Sequence, residues 1–480
     1  MTTAATDPRD AVLNVLARRE HEGSDLSDAI GRFAEPGLRE YRSAALLADY
    51  LANHGFEVER GVAGMPTAFV ARAGSGGPVV GLMCEYDATP GDSQQTGSAR
   101  PEPLGPEHCG FADLHNGIGA ASAAAAVAIA QVLRESSLSG TVVVFGTPGE
   151  KICVGKPFLA RDGWFDDVDA VIAWHPRPYN SVEWETGPGC YRADVFDFHG
   201  VSAYASAPWA GVSALDGLLM MNMIVQFMRE HIPRAYLASV NETITAGGQH
   251  PTSLPSFAQA WYVFRSPVMD GIDHVGLMLG RAADAACLAT GARVDRHIVA
   301  ATRPWLPNLA LARHCWESFL EVGAPVFPAE MHALAREMLL GLGLPPDGDA
   351  LDETLTPPES GVTREFAGGA DDVTEFSHHA PTARIYVAHG PRRSKLPNWT
   401  GSAFALTPAA HATVRTAARV VARSAIDLVL RPDALAAARR EFDMRRDQVI
   451  APLLDPEARP PTEFSFPPHY PEGFRPPTER

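Results

Sequence analysis

Cysteine is scarce in this sequence, and none of its six cysteines forms a C-x-x-C pair. Six cysteines in 480 residues are too sparse for a disulfide-stabilised scaffold, and the missing C-x-x-C pairs exclude a zinc ribbon. Basic residues are also few, since 40 Lys and Arg stand against 57 Asp and Glu and leave a net charge of −17. That balance disfavours a polyanion-binding surface, so no nucleic-acid partner is expected.

Targeting and membrane signals are missing as well. Segment 1–12 has neither the basic cluster nor the apolar run of a secretory signal. The most apolar stretch, 117–133, is mostly Ala and Gly and includes Ser122 and Gln131, which predicts a buried helix and not a membrane span. No G-x-S-x-G elbow or P-loop motif occurs. We expect a soluble, acidic, cytoplasmic protein with no membrane partner.

The composition is that of a globular protein, with 46% apolar and 20% charged residues, and 480 residues are enough for a large core. Between residues 50 and 180, apolar strand patterns alternate with helical ones, which favours an α/β fold with a mainly parallel sheet. Polar side chains follow the predicted strands and loops: Asp87, Asp113, His115, Glu150, Lys151 and His175. Since the carboxyl ends of parallel strands meet at one edge, these side chains are expected to share a site.

The pattern changes at about residue 190. A strand, a strong helix, a strand, a second helix and a strand follow, which predicts a small α+β domain with an antiparallel sheet. We therefore predict a discontinuous catalytic domain (1–189 and 304–450) and an inserted dimerisation or lid domain (190–303). Residues 451–480 are rich in proline and predict an extended tail.

Seven segments of the chain occur in the order that they have in a known family. They are EYDATPG (85–91), DLHNGIGAA (113–121), GTPGEK (146–151), DDVDAVIAWHP (166–176), FHGVSAYASAPWAGVSALDG (198–217), PTSLPSFAQAWYVFRSP (251–267) and PWLPN (304–308). The chain resembles the di-zinc aminoacylase/carboxypeptidase metallopeptidases, and within them the aminobenzoyl-glutamate hydrolase-like branch. The resemblance implies an amidohydrolase that cleaves a small N-acyl or N-aroyl amino acid.

The resemblance also implies ligands for a first metal. In the family, two metals share a bridging Cys or Asp, and one of them takes a His from the same loop and a His or Glu after a later strand. Asp113, His115 and His175 occupy these positions, so we expect one zinc or manganese ion there. Asp87 is expected to accept the other N–H of a ligand histidine. Taken alone, Asp113 and His115 favour a helix cap in a polar loop over a metal site.

The second metal of the family is expected to be absent. Lys151 stands where the family has a ligand Glu, and Asn398 stands where it has a ligand His. An ammonium group has no lone pair and repels a cation. Lys151 would instead neutralise Asp113 and polarise a substrate oxygen, or else form a structural ion pair in an inactive site.

Other family positions imply further catalytic and substrate-binding residues. Glu150 keeps the catalytic position and would act as general base and then general acid. Tyr204 replaces a histidine that, in the family, reaches the neighbouring subunit's site and stabilises the oxyanion; it could donate one hydrogen bond or act as a general acid in other chemistry. Arg265, Thr252 and Asn398 are assigned to substrate binding, where Arg265 suits a carboxylate.

Three functions remain open at this stage. The first is an amide hydrolase with one metal, and the second is a metal-independent biosynthetic enzyme that performs a condensation, cyclisation or acyl transfer. The third is a non-catalytic relative, which the retained Glu150 disfavours. A homodimer is expected in each case, because the apolar helix 214–228 and an exposed sheet edge of the inserted domain need cover.

Overall fold

The computed structural model describes residues 6–363, 369–394 and 398–462. The helices in these ranges are α1 (Pro8–Arg18), α2 (Glu20–Phe33), α3 (Tyr41–Asn53), α4 (His115–Glu135), α5 (Gly155–Arg161), α6 (Ala214–Met228), α7 (Met269–Thr290), α8 (Leu309–Val322), α9 (Ala329–Gly341), α10 (Trp399–Phe404), α11 (Pro408–Leu430) and α12 (Pro432–Met444). The strands are β1 (Glu57–Arg60), β2 (Phe69–Ser75), β3 (Val79–Cys84), β4 (Thr89–Pro90), β5 (Cys109–Gly110), β6 (Gly140–Gly146), β7 (Ala170–Arg177), β8 (Ser181–Val182), β9 (Cys190–His199), β10 (Ser239–Ala246), β11 (Phe257–Ser266), β12 (Arg293–Ala301) and β13 (Thr382–Ala388).

The larger sheet has seven strands in the order β1-β2-β6-β3-β7-β13-β8. Its four central strands, β6, β3, β7 and β13, run parallel, while β1, β2 and β8 pair antiparallel at the two sides. The central strands are buried almost throughout, and a strand covered on both faces needs the continuous apolar runs found in the sequence. The predicted α/β fold with a mainly parallel sheet is confirmed.

Helix α4 packs closely against this sheet because its residues are small. A Cβ added at Gly119 would lie 2.6 Å from the carbonyl oxygen of Glu85, so a larger residue would push the helix away from the end of β3. The helix is long and apolar enough to cross a membrane, but 94% of its most apolar window is buried inside the fold. Burial of this kind is typical of a core helix.

The second sheet has four antiparallel strands in the order β10-β11-β9-β12. Helices α6 and α7 pack together beside it, and the buried residues form a separate apolar cluster. The sequence pattern predicted three strands here and missed β10, an edge strand whose residues are mostly exposed and polar. The strands of this sheet lie between residues 190 and 301, and the domain limits 190–303 stay a prediction.

The chain after α12 returns to the body of the protein. The guanidinium of Arg303 donates a hydrogen bond of 2.7 Å to the carbonyl of Ile450, and Arg161 contacts the carbonyl of Ala458. Leu454 between them is buried. The extended tail was predicted for residues 451–480, of which 463–480 lie outside the described residues.

Candidate active site

Parallel strands bring most of the candidate residues to one edge of the larger sheet. Glu85 and Asp87 follow β3, and Glu150 and Lys151 lie in a short 3-10 turn after β6. Strands β3 and β6 are paired in parallel over their full length, so both segments emerge side by side. His175 lies in β7, the other neighbour of β3. The carboxyl edge of a parallel sheet is where α/β proteins place their sites.

Two tight backbone turns place the remaining groups. Leu114 has a φ of +56° and is buried, and α4 begins directly after it, so Asp113 and His115 flank a sharp bend. Gly149 has a φ of +65° and opens the turn that carries Glu150. Glycine adopts this left-handed backbone conformation without the steric penalty of a Cβ, which explains its place in the GTPGEK segment.

His115 is held by Asp87 and faces a group of carboxylates. Its Nδ1 lies 2.8 Å from Oδ1 of Asp87, whose other oxygen accepts a 2.9 Å hydrogen bond from the backbone N–H of Lys151. Its Nε2 lies 3.4 Å from Glu150 Oε2 and 3.7 Å from both Asp113 Oδ1 and Glu85 Oε2. Burial lowers the pKa of His115, but the carboxylates of Asp113 and Asp87 outweigh it and raise the pKa to about 9. The carboxylates therefore favour a positive charge at Nε2, and a metal ion that binds there would displace the proton.

The arrangement suits a divalent cation. Nε2 of His115, Oε2 of Glu85 and Oδ1 of Asp113 are buried without a hydrogen-bond partner, and such atoms are costly unless something binds them. Nδ1 of His175 lies 2.8 Å from the carbonyl oxygen of Pro176. A carbonyl only accepts, so Nδ1 carries the hydrogen and Nε2 is left with a lone pair for a metal.

Lys151 supplies a fixed positive charge beside this group. Its Nζ forms a short ion pair with Asp113 and lies 3.2 Å from Oε2 of Glu150. Burial lowers the pKa of Lys151, but Asp113 and Glu150 outweigh it and raise the pKa above its usual value. Burial raises the pKa of Asp113, and Lys151 and His115 reverse this and lower it to about 2. The pair is therefore ionised at neutral pH, and an ammonium in this position does not suit a second metal.

Glu150 has the surroundings of a general base. Its side chain is only 8% exposed. Burial raises its pKa to about 7, against the opposing effect of the Lys151 charge. A carboxyl group with a pKa near the working pH can both take up and release a proton, as general acid–base catalysis requires.

The other predicted residues have contacts of their own. Asn398 caps α10, with its Oδ1 accepting a 2.8 Å hydrogen bond from the backbone N–H of Thr400. Tyr204 lies in the inserted domain and is 77% exposed. Thr252 contacts His250, and the guanidinium of Arg265 lies 5.8 Å from the ring centre of Tyr191. Their assignment to the oxyanion and the substrate stays a prediction.

Several buried charges near the site were missed from the sequence. Lys156 is completely buried; its Nζ lies 2.7 Å from Oε1 of Glu85 and also contacts Asp372. Next to it, Asp371 pairs with Arg384. Glu85 carried a signal, because it ends an apolar strand two residues before Asp87. The other four carried no comparable signal; Lys156 and Asp372, for example, are 216 residues apart along the chain.

Comparisons with known proteins place the chain in a family. No family model matches it. A component of the p-aminobenzoyl-glutamate hydrolase of Escherichia coli (strain K12) is 31% identical over 430 residues, which cover 85% of this chain and 89% of that protein. The Xaa-Arg dipeptidase of Mus musculus is 27% identical over 467 residues, which cover 90% and 93%.

Solved structures share the fold. An aminobenzoyl-glutamate utilization protein from Klebsiella pneumoniae aligns with a TM-score of 0.58 at 18% identity, over 87% of this chain and 98% of that one. A dinuclear metal-binding peptidase of the M20 family from Bacillus subtilis aligns with a TM-score of 0.51 at 17% identity, over 87% and 99%. The resemblance seen in the sequence is thereby confirmed: the chain belongs to the aminobenzoyl-glutamate hydrolase-like branch of the aminoacylase/carboxypeptidase family, whose members are hydrolases of amide and peptide bonds.

Proposed function

We propose that this protein hydrolyses the amide bond of a small N-acyl or N-aroyl amino acid and uses one divalent metal, zinc or manganese. The observation that carries the proposal is that two buried carboxylate oxygens without a hydrogen-bond partner, from Glu85 and Asp113, lie 3.7 Å from Nε2 of His115. Glu150, with its pKa of about 7, lies beside them. The relative at 31% identity, named for hydrolysis of p-aminobenzoyl-glutamate, supports an aroyl amino acid as substrate.

The residues divide the chemistry between them. His115 and His175, with a carboxylate that the sequence assigns to Asp113, would hold the ion, which when bound lowers the pKa of a water molecule and polarises the substrate carbonyl. Glu150 takes a proton from the attacking water and passes it to the nitrogen of the leaving amine. Asp87 keeps the imidazole of His115 in the orientation that turns Nε2 toward the site.

Lys151 takes over part of the role of a second metal in this proposal. Its ammonium group lies between Asp113 and Glu150, where it can stabilise negative charge that develops on the substrate oxygen. Tyr204 is exposed in the single chain, so its hydroxyl is free to reach the site of a second subunit. There it would donate a further hydrogen bond to the same oxygen. Arg265, Thr252 and Asn398 would bind the amino-acid part of the substrate.

A panel of N-acyl and N-aroyl amino acids, p-aminobenzoyl-glutamate among them, tests the proposed reaction by release of the free amine. Treatment with a chelator should abolish turnover, and zinc or manganese should restore it. Amine release that survives metal removal would refute the use of a metal, and a protein that neither binds metal nor releases amine would favour the metal-independent biosynthetic enzyme. Binding of panel compounds without any turnover, with metal present, would favour the non-catalytic relative.

We also propose a homodimer that forms through the inserted domain. Four large apolar side chains of α6 are 38% to 70% exposed: Leu219, Met220, Met223 and Phe227. An exposed apolar patch on a helix of this kind is typical of a protein interface. The neighbouring β10 is an edge strand, which a second subunit would also cover.

Replacing Phe227 by Asp should convert the dimer to a monomer, because a charge in the centre of an apolar interface has no partner. Light scattering should give twice the chain mass of 51.4 kDa for the parent and the single mass for the variant. Leu288→Asp is the matched control, since Leu288 on α7 is 90% exposed and is not part of this patch. A parent protein that is monomeric at micromolar concentration would refute the proposed dimer.

A further inference from the structure

We propose that Glu85, and not Asp113, supplies the carboxylate ligand of the metal. This inference rests on the one-metal function proposed above and changes the ligand set that the resemblance implies. Oε2 of Glu85 is buried, has no hydrogen-bond partner, and lies 3.7 Å from Nε2 of His115. A fully buried carboxylate oxygen without a partner carries a large desolvation cost, which a bound cation would remove.

The geometry of three side chains distinguishes Glu85 from Asp113. Glu85, His115 and His175 each have a ligand atom within 4.8 Å of the others, close enough for one ion to bind all three. Of the described residues, only two groups of three meet this criterion, and neither contains Asp113. Two imidazoles and one carboxylate, with a further position left for water, are a ligand set found in catalytic zinc sites.

Lys156 fixes Glu85 in the required orientation. Its ammonium group lies 2.7 Å from Oε1 of Glu85 and is also held by Asp372, and all three side chains are completely buried. With Oε1 held from one side, Oε2 is left to face His115. Lys156 is therefore a positioning residue, of the kind that usually orients a metal ligand from behind.

Asp113 also keeps one oxygen, Oδ1, without a partner and 3.7 Å from Nε2 of His115, but it lies nearer the solvent than Glu85. One of its oxygens forms the ion pair with Lys151, and this pair is nearer the solvent, since Lys151 is 18% and Asp113 is 9% exposed while Glu85 is 0% exposed. The deeper carboxylate is thus placed to bind the metal. The outer one is placed to hold Lys151 where the substrate arrives.

Metal binding by the full-length protein tests this assignment without any need for turnover. Equilibrium dialysis with zinc, and the visible absorption of bound cobalt, would be compared for the parent, Glu85→Gln and Asp113→Asn. Both variants replace a carboxylate by the amide of the same shape. We expect Glu85→Gln to weaken zinc binding by at least about 100-fold, beyond the loss typical of residues that only orient a ligand. Asp113→Asn should change it by less than about 5-fold, with an unchanged cobalt spectrum.

Each outcome separates this inference from the proposed function. Loss of binding in Asp113→Asn with retention in Glu85→Gln overturns the assignment of Glu85 and leaves the one-metal function intact. A parent protein that binds no zinc would refute both the assignment of Glu85 and the one-metal function. Should Glu85→Gln fail to fold by circular dichroism, Glu85→Asp retains the charge beside Lys156 but withdraws the carboxylate by one methylene. That folded variant should bind zinc at least about 10-fold more weakly, and parent-like binding would contradict the proposal.

Discussion

Replacing Glu150 by Gln should lower turnover by about 10²–10⁴, the usual contribution of a group that moves a proton in the transition state. Glutamine keeps the shape of the side chain but has no basicity at neutral pH, so it cannot accept the proton of the attacking water. The pKa of about 7 that burial gives Glu150 is the physical reason for this role. Steady-state rates with the best panel substrate provide the measurement.

The control for this experiment is Glu59→Gln, an identical change at an exposed position of β1. Both variants should keep the circular dichroism spectrum of the parent, because an amide can hold most of the same neighbours. Zinc affinity of Glu150→Gln is also expected to stay close to the parent value. If Glu150→Gln turns over within a few-fold of the parent, Glu150 is not the general base, and Tyr204 becomes the next residue to test.

Replacing Lys156 by Met should lower the free energy of unfolding by about 3–5 kcal/mol, the usual cost of removing one partner from a buried ion pair. The change would leave Glu85 and Asp372 buried together without the cation that they share. Two carboxylates so close in a dry environment cannot both stay ionised without a counter-charge. Urea denaturation followed by circular dichroism measures the effect.

The matched control is Arg60→Met, which removes a cation from a surface ion pair with Asp49. The two side chains of that pair are 44% and 65% exposed. Solvent-exposed pairs contribute little to stability, so the midpoint of unfolding should hardly move. A Lys156→Met variant as stable as this control would show that the buried charges do not depend on Lys156.

The fold was predictable because its signals are local. Continuous apolar runs marked the buried parallel strands, and polar residues at their ends marked the site. Strand β10 was not predicted, because an exposed edge strand buries few side chains and lacks the alternation of apolar and polar residues on which prediction depends. The inserted position of the second sheet could be predicted because the pattern changes at about residue 190 and changes back after 303.

The candidate site was predictable only in part. Asp87, His115, Glu150 and Lys151 were named from the sequence, and the structure brings them together. Lys156 was missed because its partner Asp372 is 216 residues away, and no local pattern distinguishes a buried lysine from a surface one. Such contacts depend on how the whole sheet assembles.

The metal content of the purified protein tests whether Lys151 replaces one of the two metal ions of the dinuclear peptidase from Bacillus subtilis. Elemental analysis of protein prepared without chelator should give about one equivalent of zinc or manganese per chain. The double variant Lys151→Glu with Asn398→His, which rebuilds both family ligands, should take up a second ion, while Lys151→Glu alone should not. Two tightly bound metal ions per chain in the parent protein would contradict the account.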